Sequence, residues 1–135
     1  MDIEGEDEIE HVIATIHSKD LIEKLKGISE NVGEKESVHE MNTIMGETYE
    51  CKETFECAKI AAAATVTGVK KILQGDYHKG YAIIRPPGHH AYHDKAAGFC
   101  FFNNVAIATQ VALSEPFNLQ RVCIFDWDIH HGDGT

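Results

Sequence analysis

No two cysteines in this chain stand at C-x-x-C spacing; Cys51, Cys57, Cys100 and Cys123 are scattered. That argues against a zinc finger or a disulfide scaffold and for a reducing, intracellular setting, nucleus or cytoplasm. No apolar stretch reaches the roughly 18 residues that a membrane span needs. The acidic start, Met1-Asp2-Ile3-Glu4-Gly5-Glu6-Asp7-Glu8, has neither the basic nor the apolar part of a secretory signal. Repeats and low-complexity tracts are missing as well. So is a basic patch, which argues against direct nucleic-acid binding, where phosphates must be neutralised. The formal net charge of −10 is instead one-sided: residues 1–56 hold sixteen acids against five bases, and residues 57–135 six against seven. A solvated acidic face accounts for that imbalance, and long-range attraction of basic segments or polyamines is the functional alternative.

What is present suits one soluble globular domain. The chain has 135 residues, 43% hydrophobic and 8% aromatic, enough to bury a core. Ile9 to Ile16 is ambiguous between a helix end and a short strand. Ser18 looks like a helix N-cap, with Leu21, Ile22, Leu25 and Ile28 at helical spacing and Gly27 near the end. Residues 29–50 are polar and read as loop. A second helix is predicted from about Thr54 to Leu73, stopped by Gly75, and the small run Ala61–Ala64 lets a neighbour pack close. Tyr81–Arg85 and Arg121–Phe125 are short apolar runs flanking a helix over about Asn104–Leu113. They predict a βαβ crossover with parallel strands buried on both faces.

Beyond the carboxyl ends of those two runs, where parallel sheets bind ligands, lie two polar clusters. The first is His89-His90, presented by Arg85-Pro86-Pro87-Gly88. Two prolines fix φ and stiffen the loop, and glycine lets backbone approach closely. The second is Asp126-Trp127-Asp128-Ile129-His130-His131-Gly132-Asp133-Gly134-Thr135. In extended backbone, residues two apart share a face about 6.5–7 Å from each other, so Asp128 and His130 can converge on one ion with Asp126 behind them. A carboxylate and an imidazole suit Zn²⁺, which takes three protein ligands and a water in catalytic sites. Turn and capping roles for the aspartates, and surface exposure for the paired histidines, are the plainer alternatives. Taken together, the clusters point to a metal-assisted hydrolase. An acidified water would attack a carbonyl, a histidine would serve as base and then acid, and Asp126 and Asp133 would orient the histidines.

At these residues the chain strongly resembles the zinc-dependent histone deacetylases of class II flavour. The resemblance rests on Arg85-Pro86-Pro87-Gly88-His89-His90-Ala91, Gly98-Phe99-Cys100-Phe101-Phe102-Asn103 and Asp126-Trp127-Asp128-Ile129-His130-His131-Gly132. Weaker similarity runs back through Tyr49–Ala64 to His17-Ser18. The resemblance implies an α/β arginase/deacetylase fold, a parallel sheet between helical layers, of which residues 1–135 are an N-terminal part. It implies removal of acetyl from lysine side chains of histone tails or tubulin-like proteins, with Zn²⁺ as cofactor and corepressor-type proteins as partners. Carried over by position, Asp128 and His130 would be zinc ligands. His89, paired with Asp126, would be the electrostatic histidine, and His90, paired with Asp133, the general base and acid. Gly98 and Phe99 would line the acyl-lysine tunnel. A potassium ion would sit against Asp126, Asp128 and His130, partly on backbone carbonyls.

The match departs from the family pattern in places. Class II members usually carry an amide where Asp133 stands, so the subclass is mixed. Glu50 falls where class I enzymes have a substrate-clamping aspartate at the tunnel rim, although an exposed acid in an acidic loop needs no such role to explain it. The third zinc ligand and the transition-state tyrosine of the family lie beyond residue 135, so these residues alone are expected to be inactive and poorly stable. Two alternatives remain beside lysine deacetylation: an acetylpolyamine amidohydrolase, and a non-catalytic deacetylase-like scaffold or repressor.

Overall fold

The computed structural model describes residues 6–31, 39–40 and 49–135. The ambiguous N-terminal stretch is helical: α1 covers Glu6–Ile13. Helix α2 covers Lys19–Asn31. The Ser18 hydroxyl accepts the Leu21 N–H at 3.2 Å, as an N-cap does. Gly27 lies inside α2 rather than at its end, so this glycine interrupts nothing. Helix α3 covers Thr54–Leu73 and α4 covers Asn104–Leu113. Within the stretch read as loop, β1 (His39–Glu40) pairs antiparallel with β2 (Tyr49–Glu50); the rest of 32–48 lies outside the described residues.

Packing follows the small residues. Helix α3 makes its most extensive contact with α4, and its Ala58, Ala61, Ala62 and Ala63 are all buried. Without bulky side chains at these positions, neighbouring elements can approach the α3 axis closely. Ile9 and Ile13 of α1, Leu21, Ile22 and Leu25 of α2, Phe55 and Val66 of α3, and Ile107 of α4 form one apolar core with Phe101 and Phe102. Phe102 sits in its centre, edge-to-face on Phe55 at 6.2 Å between ring centroids. No helix among the described residues is long and apolar enough to cross a membrane.

The βαβ expectation is corrected. Neither Tyr81–Arg85 nor Arg121–Phe125 is a strand, and the only sheet among the described residues is β1–β2. Neither run is buried on both faces: Ile83 is 90% exposed and Phe125 82%. The reason is physical. A helix closes its hydrogen bonds within its own residues, whereas a strand's ladder bonds need a second strand. Among the described residues these two runs take no ladder partner, so their apolar character is not translated into a sheet.

Candidate active site

One buried junction ties the helical core to the polar loop of residues 85–103. His17, between α1 and α2, is 1% exposed. Its Nε2 accepts the Asn103 N–H at 2.8 Å, which obliges Nδ1 to carry the proton it donates to the Tyr92 carbonyl at 2.8 Å. Burial, the larger influence, holds this imidazole below the ordinary histidine pKa. Asn103 is fully buried and works at both ends of its side chain. Its Oδ1 caps α4 by accepting the Ala106 N–H at 3.1 Å, and its Nδ2 donates to Thr135 Oγ1 at 2.9 Å. The start of α4 and the end of the chain are thereby fastened to the same residue.

The two histidines of the loop each meet one aspartate of the C-terminal segment. His89 Nδ1 lies 2.8 Å from Asp126 Oδ2, and His90 Nδ1 lies 2.7 Å from Asp133 Oδ1. A carboxylate only accepts, so both Nδ1 atoms donate, and in a neutral ring Nε2 is then the nitrogen that carries the lone pair. The two imidazoles stand 4.1 Å apart between centroids. Asp126 is held below the usual carboxylate range by the Asp128 N–H first and His89 second. Asp133 is pulled down to about 2, by the Tyr92 hydroxyl first and His90 second. The backbone locks the same contact, since the Gly134 N–H donates to the His89 carbonyl at 2.9 Å. Gly134 approaches so closely that an added Cβ would lie 2.4 Å from the Ala91 carbonyl oxygen.

Gly98 and Phe99 are placed by a tight turn. Ala97 and Cys100 exchange backbone hydrogen bonds at 3.1 and 2.8 Å around them. Both central residues have positive φ, 50° and 64°, the signature of a type I′ turn. That conformation favours glycine, and Gly98 also has no room for a side chain: a Cβ would lie 2.4 Å from His90 Cδ2. The turn leaves the Phe99 ring half exposed. Beside it lies a cavity of about 430 Å³ whose walls include Cys51, Thr54, Arg85, Pro87 and Phe101. The Cys100 thiol beneath the turn is pushed up to about 11, chiefly by burial, which keeps it protonated.

Asp128 and His130 are brought together by each other. Asp128 Oδ1 accepts both the His130 N–H at 2.7 Å and the His130 Nδ1–H at 2.9 Å. An imidazole ligates zinc through a nitrogen lone pair, so ligation through this Nδ1 would replace its hydrogen bond to Asp128. The chemistry of the pair fits zinc, but among the described residues no group of three metal-ligating side chains converges. Glu50 differs from its expected setting. It is 5% exposed, neither an acid on an exposed loop nor one at a solvent-facing rim. Sequence reasoning missed three contributors: His17, Asn103 and Tyr92. His17 and Asn103 stood inside the quoted motifs without an assigned task, and Tyr92 is signalled only by lying two residues past His90.

The sequence pattern described as the histone deacetylase domain matches residues 3–135. The chain belongs to the histone deacetylase family. It is 39% identical to Histone deacetylase 5 of Arabidopsis thaliana, over 89% of this chain and 18% of that protein. It is 40% identical to Polyamine deacetylase HDAC10 of Rattus norvegicus, over 93% of this chain and 21% of that protein. Among solved structures, that of the HDA15 HD domain aligns with a TM-score of 0.80 and 30% identity, covering 93% of this chain and 33% of its own. This likeness shows the deacetylase domain fold, without the detail of a sheet. The chain spans about a fifth of the curated relatives' length and a third of the solved domain.

Proposed function

We propose that the whole protein is a zinc-dependent hydrolase that removes acetyl groups from lysine side chains. One observation carries the reading: two neighbouring histidines, each with its Nδ1 donating to an aspartate, within one polar cluster. Asp133 holds His90 in the tautomer whose Nε2 can take a proton from an attacking water and return it to the departing lysine amine. Asp126 orients His89 through Nδ1 in the same way, and an Nε2–H on that ring would stabilise negative charge developing beside it. Phe99 offers its exposed ring to the apolar stem of the substrate lysine. Asp128 and His130, with a further ligand from outside these residues, would hold Zn²⁺, and zinc supplies Lewis acidity toward the water and the carbonyl oxygen. A potassium ion against Asp126–His130 belongs to the same reading.

The test is hydrolysis of an acetyl-lysine peptide by the whole protein. Turnover abolished by a chelator and restored by zinc is expected, and turnover indifferent to the chelator overturns the metal mechanism. Zinc binding without turnover on any acetylated amine would favour a scaffold. Residues 1–135 by themselves are expected to show no turnover, for want of a complete ligand set. A second reading, deacetylation of acetylpolyamines, is supported by the 40% identity to a protein named a polyamine deacetylase. It needs an acid that selects a cationic amine, and buried Glu50 offers none to solvent. Relative rates on acetylspermidine and acetyl-lysine peptide separate the two.

A further inference from the structure

Tyr92 has no part in the chemistry outlined above, yet four contacts fix it. Its N–H donates to the Lys95 carbonyl at 2.9 Å. Its carbonyl accepts the His17 Nδ1–H at 2.8 Å. The Lys95 ammonium sits over its ring, 4.9 Å from the centroid. Its hydroxyl donates to Asp133 Oδ2 at 2.5 Å, while the other oxygen of that carboxylate takes the His90 Nδ1–H. Residues 90 and 92 of one loop thus grip both oxygens of a single carboxylate.

Asp133 needs such a grip. It stands between two glycines, with its side chain 42% exposed. Its own N–H reaches only the His131 carbonyl, a local bond. The terminal torsion of an aspartate is broad, so a carboxylate held through one oxygen swings about that bond, and one held through both is fixed in plane. The backbone of Tyr92 is anchored in turn to His17, at the buried junction beneath the loop. A continuous chain of hydrogen bonds therefore runs from the core through Tyr92 to the carboxylate that orients His90.

We propose that Tyr92 is a positioning residue for His90, acting through Asp133: its hydroxyl holds the carboxylate plane so that Oδ1 stays on the His90 Nδ1–H. This rests on the deacetylase reading for its kinetic consequence, but not for its structural one. The variant is Tyr92→Phe in the whole protein, which keeps the ring over Lys95 and removes only the hydroxyl. On an acetyl-lysine peptide, kcat is expected to fall about tenfold, the size of one lost hydrogen bond to a charged partner, with KM unchanged. In an Asp133→Ala background, Tyr92→Phe is expected to cost nothing further, because the group it acts through is gone. A rise in KM at constant kcat, or an equal loss in the Asp133→Ala background, overturns the inference.

A second readout does not need activity. The shared His90 Nδ1 proton is expected as a downfield resonance in proton NMR, assigned by its loss in His90→Gln. It should be sharp in the wild type and exchange-broadened in Tyr92→Phe. If the wild type proves inactive on every acetylated amine, the functional reading fails, and this resonance alone decides the role of Tyr92. An unchanged resonance in Tyr92→Phe overturns it.

Discussion

Ile107 in α4 is fully buried and Ile129, in the C-terminal segment, is 93% exposed. The two isoleucines lie 22 positions apart and belong to regions built by different rules. The helices satisfy their backbone internally and need only bury one face, which the four of them do on each other and on Phe101 and Phe102. Residues 121–131 have apolar side chains but no strand to pair with among the described residues, so burial holds little of them. What holds the C-terminal segment is polar. Asp126 and Asp133 accept hydrogen bonds from the two histidine Nδ1–H groups, the Gly134 N–H donates to the His89 carbonyl, and Thr135 meets Asn103. The comparison teaches that apolar burial and the proposed chemistry are lodged in different residues here, with few shared between them.

The largest expected effect falls on the polar side. His90→Ala removes the imidazole proposed to carry the proton and should lower kcat of the whole protein by about 10²–10⁴-fold. The melting temperature should fall only modestly beside that loss: the ring is buried, at 8% exposed, but it packs in the polar loop under Gly98 and outside the apolar cluster of the helices. A loss of folding in step with activity would break the separation of the two regions. Next in size, Phe102→Ala deletes a buried ring at the centre of the helical core and should cost about 3–5 kcal/mol in urea unfolding. A cost below about 1 kcal/mol would mean that the core collapses around the gap.

His17 is the residue that belongs to both regions, and His17→Leu sharpens the comparison. It leaves the Asn103 N–H without its acceptor and the Tyr92 carbonyl without its donor, for a loss of roughly 1–3 kcal/mol. It also predicts a change in pH dependence. Burial depresses the folded pKa of His17, so below the ordinary value of about 6.5 the unfolded chain binds a proton that the folded chain refuses. Its contribution is therefore complete above about pH 6.5 and is lost as pH falls through that value toward the folded pKa. Unfolding free energy measured from pH 7.5 to 5 should decline in the wild type and decline less in His17→Leu. Equal slopes would show that this imidazole takes up its proton in the folded state.

How much of this could be read beforehand depended on the range of the interaction. Helices α3 and α4 lie where the sequence placed them, because helical spacing, the alanine run and the stop at Gly75 act within a few positions. The end of α2 was not, because tertiary packing tolerates Gly27 in a helix interior at a cost of about 1 kcal/mol. The strands at 81–85 and 121–125 were read from apolar content alone, and content does not supply a partner. In the site, the histidines and aspartates were legible as chemistry through their motifs. The burial of Glu50 and the Tyr92–Asp133 bond were not, since each depends on segments distant in sequence meeting in space.

The smallest expected effect tests whether charge adds to the helical region. Lys26 in α2 reaches Glu10 in α1 at 2.6 Å and Glu23 at 3.7 Å, with its side chain 30% exposed. Its ammonium also lies 5.5 Å from the centre of the Phe55 ring. The hydrogen bond to Glu10 is the main reason its pKa is raised, which shows attraction but not net stability. Solvent screens such a pair, and ordering two long side chains offsets much of the Coulomb gain, leaving about 0.2–1 kcal/mol. Lys26→Met keeps most of the stem over Phe55 and removes the charge, so the loss in urea unfolding should be small and should shrink further at 1 M salt. A salt-independent loss as large as that of Phe102→Ala would place the ion pair, rather than apolar burial, at the centre of what holds α1 and α2 together.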